Sequence, residues 1–385
     1  MTSFSMRQQQ AANGFSALPY PTFTYGLDIR STLALPVETH MRASSIPQEP
    51  LLHPLPDGAI FCDLPTAMHT HSHIIEPYLG SLLSSQNKFE AFHLSMIKNG
   101  FFLYLPPHVQ VKEPILIPSL PDAVSHLFIY ASPHSSATIF HPENDDGQKS
   151  FRSSAVEMVA EEGARIHYSS LQDFSGVDHR FSFKRARIGK DASVDWHWAE
   201  FGSAFTKLDV ISFLEGANAS TQNIGVFVEK GSQSMDIDAR AYHRAPHTHS
   251  HLLARGVLDD YSKNVYKGLL NMRPEARGAV GNQRVDVLLL SPHAEADPVP
   301  ALEIEGSDVR CSHAATVGRL DKERLFYLAS RGLDEDAARA LYIRGFLEHI
   351  LSQFPHTFFH ADCQHIIDSR LHLHHPAPIS PEVVA

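Results

Sequence analysis

Residues 307–318 read SDVRCSHAATVG and run directly into RLDKERLFYLASRG at residues 319–332. The first part is typical of an extended segment, in which residues i and i+2 point to the same face. Cys311 and His313 would therefore be directed at one external point. A thiolate and an imidazole suit iron, zinc or copper, but two protein ligands do not close a metal site. We expect a third ligand from elsewhere in this chain or from another chain; the alternative is a buried structural thiol beside an ordinary polar histidine.

Two helices are predicted after this stretch. Asp321 can cap the first helix, which would reach Leu328 and end at Gly332. The acidic run 334–336 would lie in the first turn of the second helix, and Pro355 would end it. The apolar stripe of the second helix comprises Ala337, Leu341, Phe346, Leu347, Ile350 and Leu351. Such a pair needs a surface to pack on, which either the rest of the chain or a partner subunit could supply.

Short β runs fill the chain from Phe101 to Glu305, with almost no helical periodicity. In one run, Val194, Trp196 and Trp198 alternate with polar residues. Glycines recur between the runs at intervals of 13 to 15 residues, at Gly163, Gly176, Gly189, Gly202, Gly216 and Gly231. We interpret them as turn positions because glycine tolerates positive φ. The pattern predicts an all-β body, and a solenoid, a sandwich or a meander would give this spacing.

The two ends of the chain differ from this body. Residues 1–58 predict a polar tail followed by loosely docked structure, and residues 74–99 have helical periodicity that Gly100 would end. The last part of the chain is expected to be a disordered or loosely docked tail containing His360, Cys363, His365, His372, His374 and His375. The predicted domains are an N-terminal tail and helical domain (1–100), a β core (101–315), a C-terminal helical domain (316–355) and a His-rich tail (356–385).

Composition places the 385-residue chain in the soluble globular class, with 43% hydrophobic and 19% charged residues. The formal net charge of −11 argues against a nucleic-acid-binding protein, which would carry a basic face. No apolar run approaches the ~20 residues of a membrane span, and the N-terminus lacks a secretory apolar region. The three cysteines, Cys62, Cys311 and Cys363, are far apart and form no C-x-x-C pair. We therefore expect a reducing compartment, the cytoplasm.

Several other patterns could carry chemistry. The pentapeptide HTHSH occurs at 69–73 and again at 247–251, and in an extended conformation its imidazoles would share a face and could bind zinc. This pattern keeps open a stand-alone, His-rich metal-binding homodimer that uses His247 and His249. Paired carboxylates of a polysaccharide-cleaving β-helix enzyme are a second possibility, with Glu157, Glu161, Glu162, Asp236 and Asp238 as candidates. No nucleotide-binding motif is present in the chain.

Residues 307–332, with their DVRCSH core and LFYLASRG helix, resemble the C-terminal signature of the SufB/SufD family of the Suf iron–sulfur cluster assembly machinery. The segments 255–258, 266–268, 288–291, 300–304 and 88–92 resemble the same family in the expected order. The DVRCSH sequence favours the SufD branch over the SufB branch. The family's usual glycine after Cys-Ser-His is Ala314 here.

The resemblance implies a right-handed parallel β-helix core flanked by N- and C-terminal helical domains. It implies a non-catalytic scaffold that pairs with SufB through the β-helix and docks the SufC ATPase through the C-terminal helices. The expected partner-binding residues are Phe326, Tyr327, Arg331, Leu341 and Phe346. Carried over by position, His313 would be a ligand of a transient iron–sulfur cluster shared with SufB, and Cys311 a supporting thiol. The isolated chain could form a homodimer.

Overall fold

The computed structural model describes residues 3–19, 54–120, 123–144, 151–174, 179–355 and 357–373. The helices are α1 (Ser3–Ala17), α2 (Leu64–Thr70), α3 (Ser72–Ile75), α4 (Lys88–Met96), α5 (Lys322–Ser330), α6 (Glu335–Leu351) and α7 (Thr357–Arg370). The first strands are β1 (Ile60–Asp63), β2 (Gly100–Leu105), β3 (Ile115–Leu116), β4 (Val124–Ala131), β5 (Ser136–Asn144), β6 (Phe151–Ala160), β7 (Arg165–Asp173) and β8 (His179–Ile188). The remaining strands are β9 (Ser193–Glu200), β10 (Phe205–Leu214), β11 (Ser220–Glu229), β12 (Ser234–His243), β13 (His249–Leu258), β14 (Lys263–Met272), β15 (Ala279–Leu289), β16 (Glu295–Ile304) and β17 (Val309–Arg319).

Successive strands alternate between two sheets. Sheet A has the order β1-β2-β4-β6-β8-β10-β12-β14-β16, and sheet B has the order β17-β15-β13-β11-β9-β7-β5-β3. All neighbours pair in parallel except β1 and β2, which are antiparallel. Each turn of the chain therefore adds one strand to each sheet, which makes a parallel β-solenoid of about seven turns. The mainly β fold class, with a β-helix between terminal helices, is confirmed.

The glycine rhythm marks half-turns of the solenoid, one strand and one corner each. Gly202 and Gly216 lie at corners where an added Cβ would come within 2.0 Å of the backbone of the preceding turn. Gly163 instead needs its positive φ of 68°. The equivalent corner position is left-handed on successive turns and is mostly not glycine, comprising His134, Gly163, Asp191, Asn218, His247 and Gly278. Gly176 lies outside the described residues.

The interior of the solenoid is aromatic in its middle turns. Trp196 and Trp198 are fully buried, as the alternation in β9 predicts. Their indole N–H groups donate to Ser212 Oγ at 3.0 Å and to Asn223 Oδ1 at 2.7 Å, so neither polar group is left unpaired. The Trp198 ring occupies the space beside Gly225, where an added Cβ would lie 1.9 Å from a ring atom. Gly225 is therefore required by packing.

The N-terminal region is more ordered than the sequence indicates. Residues 3–17 form a helix that packs against α4 and buries Phe4 and Ala11, so the predicted tail begins with a docked helix. The predicted helical stretch 74–99 is interrupted, because turns separate α3 from α4 and Gly80 has a φ of +72°. Glu157 of β6 holds this turn by accepting hydrogen bonds from the backbone N–H groups of Gly80 and Leu82. Residues 20–53, also within the predicted tail, lie outside the described residues.

The start of the predicted His-rich tail is also docked. Helix α7 buries Phe359, Cys363 and Ile367 against the outer face of sheet B, together with the buried side of α6. Arg370 of α7 forms an ion pair with Asp173 of β7, which joins the helix to the solenoid. The tail prediction was therefore wrong for residues 357–370, while His374 and His375 lie outside the described residues.

Three buried histidines make stability dependent on pH. Burial lowers the pKa of His141 and His243 to about 4 and that of His93 well below 6.5. As the pH falls below about 6.5, the unfolded chain binds these protons before the folded chain does, so stability is complete above pH 6.5 and is lost below it. Between pH 7.5 and pH 5, the free energy of unfolding should fall by about 2 kcal/mol for each of His141 and His243.

Urea unfolding of the wild type and of His243→Gln at both pH values measures this effect. Glutamine can retain hydrogen bonds to Thr248 Oγ1 and Ser250 Oγ, each 2.7 Å from an imidazole nitrogen, but it does not titrate. We expect the variant to lose about 2 kcal/mol less stability on acidification than the wild type. Equal losses in the two proteins would contradict the assignment.

Candidate functional site at the open end of the solenoid

The solenoid ends in two strands that each pair on one side only, β16 in sheet A and β17 in sheet B. In β16, the N–H of Glu295 donates towards β14, so even-numbered residues direct their N–H groups to the free edge. Pro298 and Pro300 are even-numbered and remove two of these donors, a device that protects an exposed edge. Strand β17 contains no proline, so its free edge is more available for pairing with another strand.

The same alternation places the backbone of Cys311 and His313 on the free edge of β17. The N–H of Val280 donates to β13, and Val280 pairs in register with Arg310. Even-numbered residues of β17 therefore face β15, and odd-numbered residues, including Cys311 and His313, direct their N–H and C=O groups outwards. An additional strand from another molecule could pair at this position.

The side chains of Cys311 and His313 point to the inner side of the last turn. Cys311 pairs in register with Gly281, is half-buried and packs against the solenoid core. His313 pairs with Gln283 but is exposed, because no further turn covers it. Two residues of strand separate their Cα atoms by about 7 Å. The predicted convergence of a thiol and an imidazole on one side of β17 agrees with this geometry.

The chemistry of the pair is that of an incomplete site. Burial raises the pKa of the Cys311 thiol, so the thiol is protonated and unreactive at neutral pH until a cation or metal binds. Within the described ranges, no group of three or more His, Cys, Asp or Glu side chains is arranged to hold a metal ion. The pair can therefore supply two ligands, and a closed metal site would need further ligands.

Exposed apolar side chains concentrate near this end of the molecule. Val299 and Ile304 of β16 are each 47% exposed, and Val317 of β17 is 41% exposed. On the following helices, Phe326 is 76% exposed and Tyr327 is 56% exposed. Exposed apolar side chains grouped near one end of a molecule are typical of a protein interface.

Helix α5 leaves a groove beside the solenoid. Asp321 caps the helix by accepting from the N–H groups of Glu323 and Arg324, as predicted, yet no residue of α5 is buried. The groove has a volume of about 620 Å³ and is lined mainly by apolar residues of α5, α6 and the end of β15, including Leu290, Pro292, Leu325 and Phe326. A helix with no buried face is available to a partner.

Four of the five expected partner-binding residues, Phe326, Tyr327, Arg331 and Leu341, are exposed. Phe346 differs, because it is only half-exposed and lies under the Arg255 guanidinium at 5.1 Å. Arg255 also donates to the Phe346 carbonyl oxygen, which joins α6 to β13. Phe346 thus helps to dock α6 on its own solenoid.

The other sequence candidates are separated from this end. The first HTHSH copy is not extended, since it spans the junction of α2 and α3 around His71. The second copy begins at a corner residue, His247, and continues into β13. The zinc-binding face predicted for the first copy is therefore absent within the described residues.

The candidate carboxylates are engaged in ion pairs or hydrogen bonds. Lys207 Nζ lies 2.8 Å from Asp236 Oδ1, and Arg240 is paired with Asp238. Arg187 lies 3.4 Å from Glu161 and Lys190 lies 2.7 Å from Glu162. Glu157 anchors the turn at Gly80 and Leu82, as described above. These contacts do not favour a pair of free carboxylates for glycan cleavage.

Comparison with known proteins identifies the family. The model of the SUF system FeS cluster assembly SufBD core domain matches residues 119–346, more than half of the chain. The chain belongs to the SufBD family. The model of the SufBD N-terminal region matches residues 31–117. The core match covers the solenoid from β4 onwards, the open end, α5 and the first part of α6.

Individual relatives agree with this family. The chain is 28% identical over 310 residues to the iron–sulfur cluster assembly protein SufD of Bacillus subtilis, covering 77% of this chain and 70% of the relative. It is 26% identical over 328 residues to a SufBD family protein of Guillardia theta and over 329 residues to one of Synechocystis, covering 78% of this chain and 66% of each relative. The chain thus spans about two thirds of the length of these relatives.

Sequence reasoning missed the free edge itself. The two prolines of β16 are visible in the sequence, and each lacks a backbone N–H donor. The sequence does not show which strand lies last in each sheet, so it does not show that these prolines lie at a free edge.

None of the helices in the described part of the chain is long and apolar enough to span a bilayer.

Proposed function

We propose that this chain is a SufD-like, non-catalytic scaffold subunit of a SUF iron–sulfur cluster assembly complex in the cytoplasm. The observation that carries the proposal is the open end of the solenoid, where the unpaired edge of β17 presents Cys311 and His313. Membership of the SufBD family indicates that the ligand is an iron–sulfur cluster. A thiol and an imidazole are suitable ligands for its iron.

The partner at the open end is a SufB-like subunit with the same kind of solenoid. Its last strand would pair with the free edge of β17 and cover Val299, Ile304 and Val317, whose exposure is otherwise unfavourable. A partner of the same fold supplies a strand of matching length and twist. It would also bring the additional ligands that Cys311 and His313 lack.

The groove beside α5 receives a SufC-like ATPase in this proposal. Phe326 and Tyr327 are large aromatic side chains next to a concave apolar surface, which is the composition of interface hot spots. The short connection from β17 to α5, residues 320–321, links the two surfaces. Movement of an ATPase bound at α5 would therefore act on the edge strand and could open the cluster interface.

The iron–sulfur cluster is cargo that the complex binds and releases. His313, exposed and on the inner side of the last turn, would be a ligand, while the half-buried Cys311 would support it. Sharing the ligands between two subunits makes release depend on separation of the subunits. Two protein ligands alone would hold the cluster weakly after separation.

Co-expression with SufB-like and SufC-like subunits tests the two surfaces separately. Phe326→Asp/Tyr327→Asp should reduce the co-purified ATPase by roughly tenfold or more, because charge replaces two apolar anchors. It should leave the SufB-like subunit bound. Size-exclusion chromatography with mass measurement of each complex is the readout.

Val317→Asp provides the reciprocal control at the open end. It should weaken pairing with the SufB-like subunit while the ATPase remains bound through α5. If neither variant changes the composition of the complex, or if the wild-type chain forms no complex with either subunit, the proposed function is wrong.

A further inference from the structure

The outer face of sheet B carries a polar surface at the start of its strands. Helix α6 packs over the later part of the strands, on residues such as Leu253 and Val257. Helix α6 does not cover the first residues of the sheet B strands β7, β9, β11, β13 and β15. These residues border a polar groove of about 670 Å³, whose lining side chains include His167, Asp195, Gln222, His249, His251 and Asn282. The proposed function leaves this groove without a role.

The start of β13 fixes two histidines towards the groove. Thr248 and Ser250 are buried and face inwards, where Thr248 Oγ1 and Ser250 Oγ each lie 2.7 Å from a ring nitrogen of His243. Because side chains alternate along a strand, His249 and His251 must then face outwards together. In the HTHSH sequence, Thr248 and Ser250 therefore bind His243 inside the solenoid, and His249 and His251 lie on the outer face.

Both outer imidazoles have free nitrogen atoms. Within the described part of the chain, no side-chain hydrogen bond is formed by His249 or His251, whereas both ring nitrogens of His243 are bonded. Gln222 and Asn282 pair in register with His251 on its two sides and are exposed, so their amide oxygens border the same space. Ser312 Oγ donates to Asn282 Oδ1 at 2.7 Å and orients that amide.

We propose that His249 and His251 chelate a divalent transition-metal ion of borderline softness. Two imidazoles at i and i+2 on one strand face can both donate to one ion, and neutral imidazole suits zinc, nickel and copper. The described residues contain no set of three His, Cys, Asp or Glu side chains for such an ion, so water and the flanking amides would complete the coordination.

This site is separate from the open end. Strand β13 is two strands from β17, about 10 Å away, and its histidines face outwards whereas Cys311 and His313 face inwards. The inference rests on β13 and its neighbours and does not depend on the proposed scaffold function.

Zinc titration by calorimetry and copper electron paramagnetic resonance on the full-length chain test the site. The starting protein carries His372→Gln, His374→Gln and His375→Gln, because the sequence HLHH at 372–375 is itself a potential chelator. In this background, His249→Gln and His251→Gln should each weaken binding of one zinc equivalent by roughly 100-fold, the advantage that a second linked ligand provides. The copper spectrum should lose its two-nitrogen pattern in either variant.

His247→Asn is the matched control. It removes the neighbouring histidine of the same pentapeptide, and asparagine tolerates the left-handed conformation at this corner. Zinc binding should be unchanged in this control, and the double variant His249→Gln/His251→Gln should bind zinc no more strongly than either single variant. An unchanged isotherm in both single variants, or an equal loss in His247→Asn, would overturn the proposal.

Discussion

His313→Ala should reduce the iron and sulfide content of the co-expressed complex by at least about tenfold while leaving its composition unchanged. Even outer-shell partners of metal ligands typically contribute a factor of this size, and His313 is proposed as a direct ligand. The side chain is exposed on the last turn, so its removal should leave the fold intact. Metal and sulfide analysis of the size-exclusion peak, with its absorption spectrum, measures the effect.

Ser312→Ala is the control for this experiment. Ser312 lies between the two candidate ligands, on the same exposed strand, but its side chain faces outwards and donates to Asn282. Its replacement should leave cluster content unchanged. Cys311→Ser should give an intermediate loss, since a supporting thiol is removed. Normal cluster loading in His313→Ala, with the complex intact, would contradict the site assignment and leave the proposed subunit contacts standing.

The two copies of HTHSH show where prediction of secondary structure from the sequence fails. The same five residues form a helix junction at 69–73 and a corner and strand at 247–251. Local propensity is equal in both, so the surrounding fold decides. The strand at Cys311 and the helix capped by Asp321 were predictable because their signals are local.

Elements whose partners are distant in sequence were not predictable. Helix α7 is weakly amphipathic, but it buries Phe359 against Phe140, with ring centroids 5.2 Å apart across more than two hundred residues. Helix α1 packs against α4 in the same way. The free edge of β17 and the outward direction of His251 likewise depend on strand order, which the sequence alone does not contain.

A buried ionic cluster inside the solenoid is the clearest instance of such distant pairing. Arg180 of β8 donates to Glu143 of β5 at 2.6 Å and to Glu200 of β9 at 2.7 Å, and Lys184 lies 4.0 Å from each carboxylate. Burial opposes ionisation of Glu143, but Arg180 and Lys184 outweigh it and lower its pKa to about 2. Burial also raises the pKa of Glu200 and lowers that of Lys184. The cluster therefore contains two basic and two acidic side chains that depend on one another for their charge.

Arg180→Met should lower the free energy of unfolding by about 3–5 kcal/mol, the usual cost of leaving a buried charge without its partner. Methionine fills a similar volume but leaves Lys184 as the one remaining cation beside Glu143 and Glu200, and Lys184 lies too far from either for a hydrogen bond. Urea unfolding at pH 7.5, with Lys190→Met as the control, measures the loss. Lys190 makes an ion pair with Glu162 of the same length, 2.7 Å, on the surface, and its removal should leave the urea midpoint nearly unchanged.

The double variant Arg180→Met/Glu200→Gln separates charge imbalance from loss of packing. It removes one cation and one anion, so Lys184 and Glu143 remain as a balanced pair inside the solenoid. If imbalance causes the loss, the double variant should be more stable than Arg180→Met despite carrying a second core substitution. If it is less stable, the packing of Arg180 matters more than its charge. If Arg180→Met costs no more than Lys190→Met, the cluster does not stabilise the solenoid in the way its burial indicates.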